Sequence, residues 1–149
     1  MNEVTKQYWK EEDFVALENT RSMKDMLSVA ENIISRMSSG LSQVCGPIST
    51  GDKGSVEANL AYFNEFILQL QEKGVPTFYQ IPFESNIYHL LKNVEYKQTQ
   101  EHILLDFYLP LFRYGKIKEL HFIPGWESSV GATWEYNTVK ELGLEIVLI

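Results

Sequence analysis

Between Glu119 and Ile149 the chain runs through an apolar stretch (Glu119-Leu120-His121-Phe122-Ile123), a turn (Pro124-Gly125-Trp126), a stretch that Ser128 or Ser129 can cap, and, after Gly143, a second apolar stretch from Leu144 to Ile149. This order predicts strand, helix, strand. Two strands joined by a helix lie parallel, and a parallel sheet needs helices over its faces, so the feature points to an α/β chain. The same order occurs upstream. Gln43-Val44-Cys45-Gly46-Pro47-Ile48 reads as a short strand entering a tight loop, and Ser49-Thr50-Gly51-Asp52-Lys53-Gly54 is a loop by composition. Ser55 is positioned to cap a helix with Val56, Leu60, Phe63, Ile67 and Leu70 on one face, and Gly74 follows at its C′ position. Thr77-Phe78-Tyr79-Gln80-Ile81 is predicted as a further strand, ended by Pro82. The repetition implies right-handed crossovers in one parallel sheet.

The remaining chain is helical in pattern. Residues 11–38 place Phe14, Leu17, Met23, Met26, Leu27, Ala30, Ile33, Ile34 and Met37 on one stripe, as one long helix or two shorter ones, before Ser38-Ser39-Gly40 breaks the pattern. Residues 84–98 are mixed and polar, without a readable order. From about Thr99 nearly every position is apolar, which predicts a helix buried on most sides and kinked or ended near Pro110. A chain of 149 residues holds one well-buried core and is too short for two ordinary domains. The expected organisation is therefore an N-terminal helical extension at residues 1–40 and one α/β domain at residues 41–149.

Charge and composition narrow the function. A formal net charge of −7 and scattered basic residues, with Lys116 and Lys118 the nearest thing to a patch, argue against a nucleic-acid polymer as partner. A single cysteine, Cys45, leaves no disulfide framework or thiolate cluster, and His89, His102 and His121 lack metal-ligand spacing. Neither a metal nor a cofactor is expected. No apolar run approaches the length of a bilayer span and the first residues are acidic rather than signal-like, so a cytoplasmic protein without a membrane partner is expected.

Ligands of open parallel sheets bind beyond the carboxyl ends of the strands. Three segments fall there: Gly46 to Gly54, Gln80 to Glu84, and Gly125 to Gly131. The first offers glycines for close backbone approach and hydroxyls at Ser49, Thr50 and Ser55 before a helix N-terminus, although it matches neither a Walker A motif nor GxGxxG. Its bland alternative is an ordinary strand-to-helix loop. In the third, a helical Glu135 leans over Gly131 and Ala132, both small, near a helix N-terminus that favours an ionised carboxylate, the form a glycosidic nucleophile requires. The alternative is a solvated helical glutamate. Asp106 is the only charged residue between Ile103 and Phe112 and is either exposed or held for a ligand. Trp126 and Trp134 are better explained by core or interface packing than as base-stacking platforms.

Phe122-Ile123-Pro124-Gly125-Trp126-Glu127-Ser128-Ser129-Val130-Gly131-Ala132-Thr133-Trp134-Glu135 resembles the PGWxxSxGAxxE signature of the DUF4406 family, a branch related to nucleoside 2-deoxyribosyltransferases. Cys45-Gly46-Pro47-Ile48-Ser49 is similar to that family's opening strand and loop. With Asp106 and the terminal strand, the resemblance spans residues 43–149. It implies a flavodoxin-like (Rossmann-like) three-layer sandwich with a four- or five-stranded parallel sheet, the N-terminal helices lying outside the common core. It also implies a pocket for a nucleoside or nucleotide, with Glu135 attacking the anomeric carbon and Asp106 assisting, although the stretch from Asp106 to the next strand is longer than in the family pattern. The substrate-binding set so implied is Gly46, Pro47, Ser49, Thr50, Gly51, Trp126, Ser128, Ser129 and Gly131, holding sugar hydroxyls or a 5′-phosphate. Family members share active sites across a dimer, which implies a homodimer or higher homo-oligomer. The sequence stops after the last strand without the tail that completes a neighbour's pocket in some transferases, so cleavage is expected over transfer.

The expected activity is cleavage of the N-glycosidic bond of a nucleoside or nucleoside 5′-monophosphate, by hydrolysis or base exchange, through a covalent glycosyl-Glu135 intermediate. Two rivals stand beside it. One is a nucleotide-binding or sensing module that does no chemistry. The other is an interaction surface on the N-terminal helices, whose Met-rich stripe suits dimer packing or adaptable contacts.

Overall fold

A computed structural model of the chain describes residues 1–48, 53–92 and 100–149, the side chains of residues 100 and 101 excepted. In chain order come α1 (Glu3–Lys6), α2 (Glu11–Glu18), α3 (Met23–Ser35), β1 (Leu41–Cys45), α4 (Val56–Glu72), α5 (Ile81–Lys92) and α6 (Gln100–Ile103). A π-helical turn at Leu104–Tyr108 leads into α7 (Leu109–Arg113), followed by β2 (Ile117–Phe122), a 3-10 turn at Trp126–Ser128, α8 (Val130–Leu142) and β3 (Glu145–Leu148). The chain divides into two compact units: Met1–Ser38 with Tyr79–Lys116, and Ser39–Phe78 with Ile117–Ile149.

The second unit holds a three-stranded parallel sheet in the order β1-β2-β3. Cys45 pairs with Phe122 and Phe122 with Leu148, so the strands end level with one another. All of β1 is buried, as a strand covered on both faces must be. On its free side Ser42 makes one parallel bridge to Thr77, its N–H donating to Pro76 O at 2.8 Å and its carbonyl accepting from Phe78 N at 2.9 Å. The strand expected over Thr77–Ile81 is thus a single bridge, and among the described residues the sheet has three strands. The reason lies in Pro82. It occupies the first turn of α5, where a missing N–H costs no hydrogen bond, while Phe83 and Ile87, four residues apart, bury one face of that helix.

Side-chain alternation places the two crossover helices. Phe122 packs its ring against Tyr136 of α8 at 5.4 Å, whereas a Cβ on Gly46 would meet the next residue, Ile123, and Phe63 of α4. Consecutive strand residues face opposite sides, so α4 and α8 cover opposite faces of the sheet. Same-handed crossovers leaving β1 and β2 in opposite directions require this arrangement. Both helices have the expected caps. Ser55 Oγ accepts from Ala58 N at 3.1 Å and Ser129 Oγ from Ala132 N at 3.2 Å, and α8 ends on Gly143 at a φ of 72°.

The first unit is helical. The stripe of residues 11–38 forms two helices, and Met23, Met26, Val29, Ala30, Ile33 and Ile34 of α3 are all buried. Its methionines are core, which corrects their reading as an adaptable contact surface. Lys116 Nζ donates to the carbonyls of Ile34 (3.1 Å), Ser35 (3.0 Å) and Met37 (2.6 Å), placing its charge at the C-terminal end of α3. Trp9, Phe83, Phe107, Tyr108 and Phe112 form a chain of ring contacts between 4.9 and 6.0 Å. The π turn has a local cause: a proline has no N–H and its ring crowds the carbonyl four residues back, which for Pro110 is Asp106, and Leu109 N donates instead to Leu104 O. Among the described residues no helix is long and apolar enough to cross a membrane.

Candidate functional site

In the sheet unit the crossover from β1 departs toward Thr77 and that from β2 toward β3, so the chain diverges between β1 and β2 at their carboxyl ends. That point of divergence is where open parallel sheets bind ligands. Gly46, Pro47, Trp126, Ser128, Ser129, Gly131 and Glu135 all belong to this unit, on the two loops and on α8. Ser49, Thr50 and Gly51 lie outside the described residues.

Glu135 is 7% exposed and shares the buried side of α8 with Ala132 and Val139. The spacing 132, 135, 139 sets it toward the sheet, so the solvated reading is not what the fold contains. Ser129, buried, is the N-cap of α8, and its carbonyl also accepts from Thr133 Oγ1 at 2.9 Å. Ser128 is exposed and its hydroxyl donates to Gly125 O at 2.7 Å. Trp126 stacks on Tyr136 at 4.7 Å and 20°, with Phe122 edge-on at 5.2 Å, the packing alternative for this ring. Gly46 has a steric reason of its own: a Cβ there would sit 2.5 Å from Ile123 Cγ1.

Asn59 of α4 carries no signal in the sequence that separates it from a surface asparagine. It is 3% exposed, its Nδ2 donates to Ile48 O at 2.9 Å and its Oδ1 accepts from Lys53 N at 3.0 Å. One buried side chain thereby ties Ile48 to Lys53.

Asp106 belongs to the other unit. It sits in the π turn, exposed, at the rim of a recess of about 440 Å³ lined also by Ser22, Met23, Lys24, Leu27, Leu105 and Pro110. Gln80 and Glu84 are in that unit too. Tyr108 O–H donates to the part-buried Glu84 carboxyl, and burial pushes that carboxyl up to about 7 against the lowering effect of this bond.

On the α4 face of the sheet, Ser42 Oγ donates to Glu119 Oε2 at 3.0 Å and His121 Nε2 lies 3.1 Å from the same oxygen. The bonds from His121 and then Ser42 hold Glu119 below the usual carboxylate range. This is not a nucleophile activated by a base, because the carboxylate stands between hydroxyl and imidazole and is the acceptor for both. No group of three or more His, Cys, Asp or Glu side chains among the described residues is arranged to hold a metal ion. No family model matches the chain, and no curated protein matches it.

Proposed function

We propose that this protein cleaves the N-glycosidic bond of a nucleoside or nucleoside 5′-monophosphate, with Glu135 as the group that attacks the anomeric carbon. The observation that carries the reading is the burial of Glu135: a carboxylate-bearing side chain on the buried side of α8, four residues after Gly131, in the helix that follows β2.

In the proposed reaction the Glu135 carboxylate adds to the anomeric carbon as the bond to the base breaks. The bonding pair leaves with the base, which takes up a proton from solvent, and the nucleophile of the second step gives one back to solvent. Water, or a second base, then attacks the same carbon and returns the carboxylate. The N-terminal end of α8 would hold the sugar or its phosphate. A flavodoxin-like relationship, a small-molecule partner, a homodimer and a cytoplasmic setting belong to the same proposal.

The test is to incubate the wild type and Glu135→Gln with a panel of nucleosides and 5′-monophosphates and to follow release of free base. Loss of at least about a thousandfold in turnover is expected for the variant. Undiminished turnover would remove Glu135 from the mechanism. Asp106→Asn is measured alongside, and unchanged turnover would remove Asp106 as well. Ligand-induced thermal stabilisation of the wild type without any base release would favour the binding module over the enzyme.

A further inference from the structure

Gln43, in the middle of β1, is fully buried, and neither Oε1 nor Nε2 of its amide has a hydrogen-bond partner among the described residues. Arg36, Asn64 and Gln80 each leave a single buried side-chain atom unpaired, so Gln43 is distinguished by losing a donor and an acceptor together. Two orphaned groups in the interior are expensive, and an apolar side chain of the same length would remove the cost. The position is also informative. Gln43 pairs with Leu120 and Cys45 with Phe122, and since Phe122 packs on Tyr136, alternation puts the Gln43 side chain on the α8 face of the sheet. Glu135 faces that same layer, and β1 borders the point where the chain diverges.

We infer that Gln43 determines specificity at the site of Glu135, its amide being kept unpaired for a ligand that presents a hydrogen-bond donor beside an acceptor. Side-by-side amide atoms make a bidentate contact with such an edge. A site built this way rejects analogues lacking the complementary groups, because its own atoms then stay unpaired. The inference rests on the nucleoside reading of this site. Both the polar edge of a base and the hydroxyls of the sugar offer this chemistry.

The test uses the full chain with Gln43→Met, which keeps the length of the side chain and removes both polar atoms, and Gln43→Leu as a second variant should the first fail to fold. Melting temperature without ligand is measured first. A rise of about 2–6 °C is expected, since the orphaned amide is gone. A fall in both variants would show that the amide is satisfied within the fold and would overturn the inference. Affinity is then measured for inosine 5′-monophosphate, purine riboside 5′-monophosphate and ribose 5-phosphate. A loss of tenfold or more in the variant, for a ligand the wild type binds, supports the role. Loss confined to the inosine nucleotide assigns the amide to the base edge, and loss that extends to ribose 5-phosphate assigns it to the sugar. Unchanged affinity, or a wild type that binds none of the three, overturns it. Glu135→Gln separates the two levels: if wild type and Glu135→Gln bind alike and release no base while Gln43→Met loses affinity, the glycosidic chemistry falls and the specificity role stands.

Discussion

Three side chains show how much a single position decides here. At Gly46 the constraint is steric, since Ile123 fills the place a Cβ would take. Gly46→Ala should cost about 1–3 kcal/mol by overpacking, and Ile123→Ala in the same chain should recover part of that loss. Chemical denaturation of the two single variants and the double would show it; strictly additive effects would disprove the contact as the cause. Lys116 illustrates a charge used structurally. Its ammonium donates to three carbonyls at the end of α3, so Lys116→Met should lower stability by about 1–2 kcal/mol. Glu84 is the third. Its carboxyl, raised to about 7, favours the protonated form in the folded state. The stability it contributes is therefore full below about 4.5 and lost as pH rises through 7. Glu84→Gln keeps the shape and removes the titration, and its melting temperature should exceed that of the wild type by about 2–6 °C at pH 8 and by little at pH 5. Equal differences at both pH values would show that Glu84 is not the titrating group. None of these roles is written in the residue type: Gly46 reads equally as a ligand-approach glycine, Lys116 as one half of a basic patch and Glu84 as one more polar residue in an unordered stretch.

Elements with a cap at each end were legible, and elements whose end signals conflict with their interior were not. Ser55 and Gly74 bracket α4, and Ser129 and Gly143 bracket α8, because capping is local chemistry that neighbouring residues carry in full. Between Ser128 and Ser129 the sequence is ambiguous, and the fold uses Ser129. Ser129→Ala should then cost about 1 kcal/mol while Ser128→Ala stays within about 0.5 kcal/mol. Thermal or urea denaturation distinguishes them, and reversed costs would move the cap. Thr77–Ile81 misled for the opposite reason: β-branched and aromatic residues before a proline look like a strand that stops, yet Pro82 serves as a helix start. The π turn before Pro110 was legible as a kink and not as its form, since the sequence announces the missing donor but not how the preceding turn widens around it.

At the scale of the whole molecule, two titrations of opposite sense shape stability. Glu119, held low by His121 and Ser42, contributes above the unfolded carboxylate range and loses that contribution as pH falls through its own lowered value. Glu84 contributes on the acid side. Melting curves between pH 4 and pH 8 should therefore show a loss of stability toward pH 8 that is smaller in Glu84→Gln. The candidate site was partly legible on the same scale. The sequence placed Glu135 on a helix after the strand Glu119–Ile123, and local rules sufficed for that: alternation, a turn, a cap and a periodicity of 3.6. They sufficed equally for an α/β chain with parallel strands, because a repeated strand-helix-strand order favours parallel crossovers. What only the tertiary structure decided is which polar groups lose water. Burial of Gln43, Asn59 and Glu135 depends on what the rest of the fold lays against them, as does the exposure of Asp106. Whether Thr77 extends into a strand or stops at one bridge is likewise a competition between a sheet edge and a buried helix face, and its outcome lies in contacts that no local stretch of sequence contains.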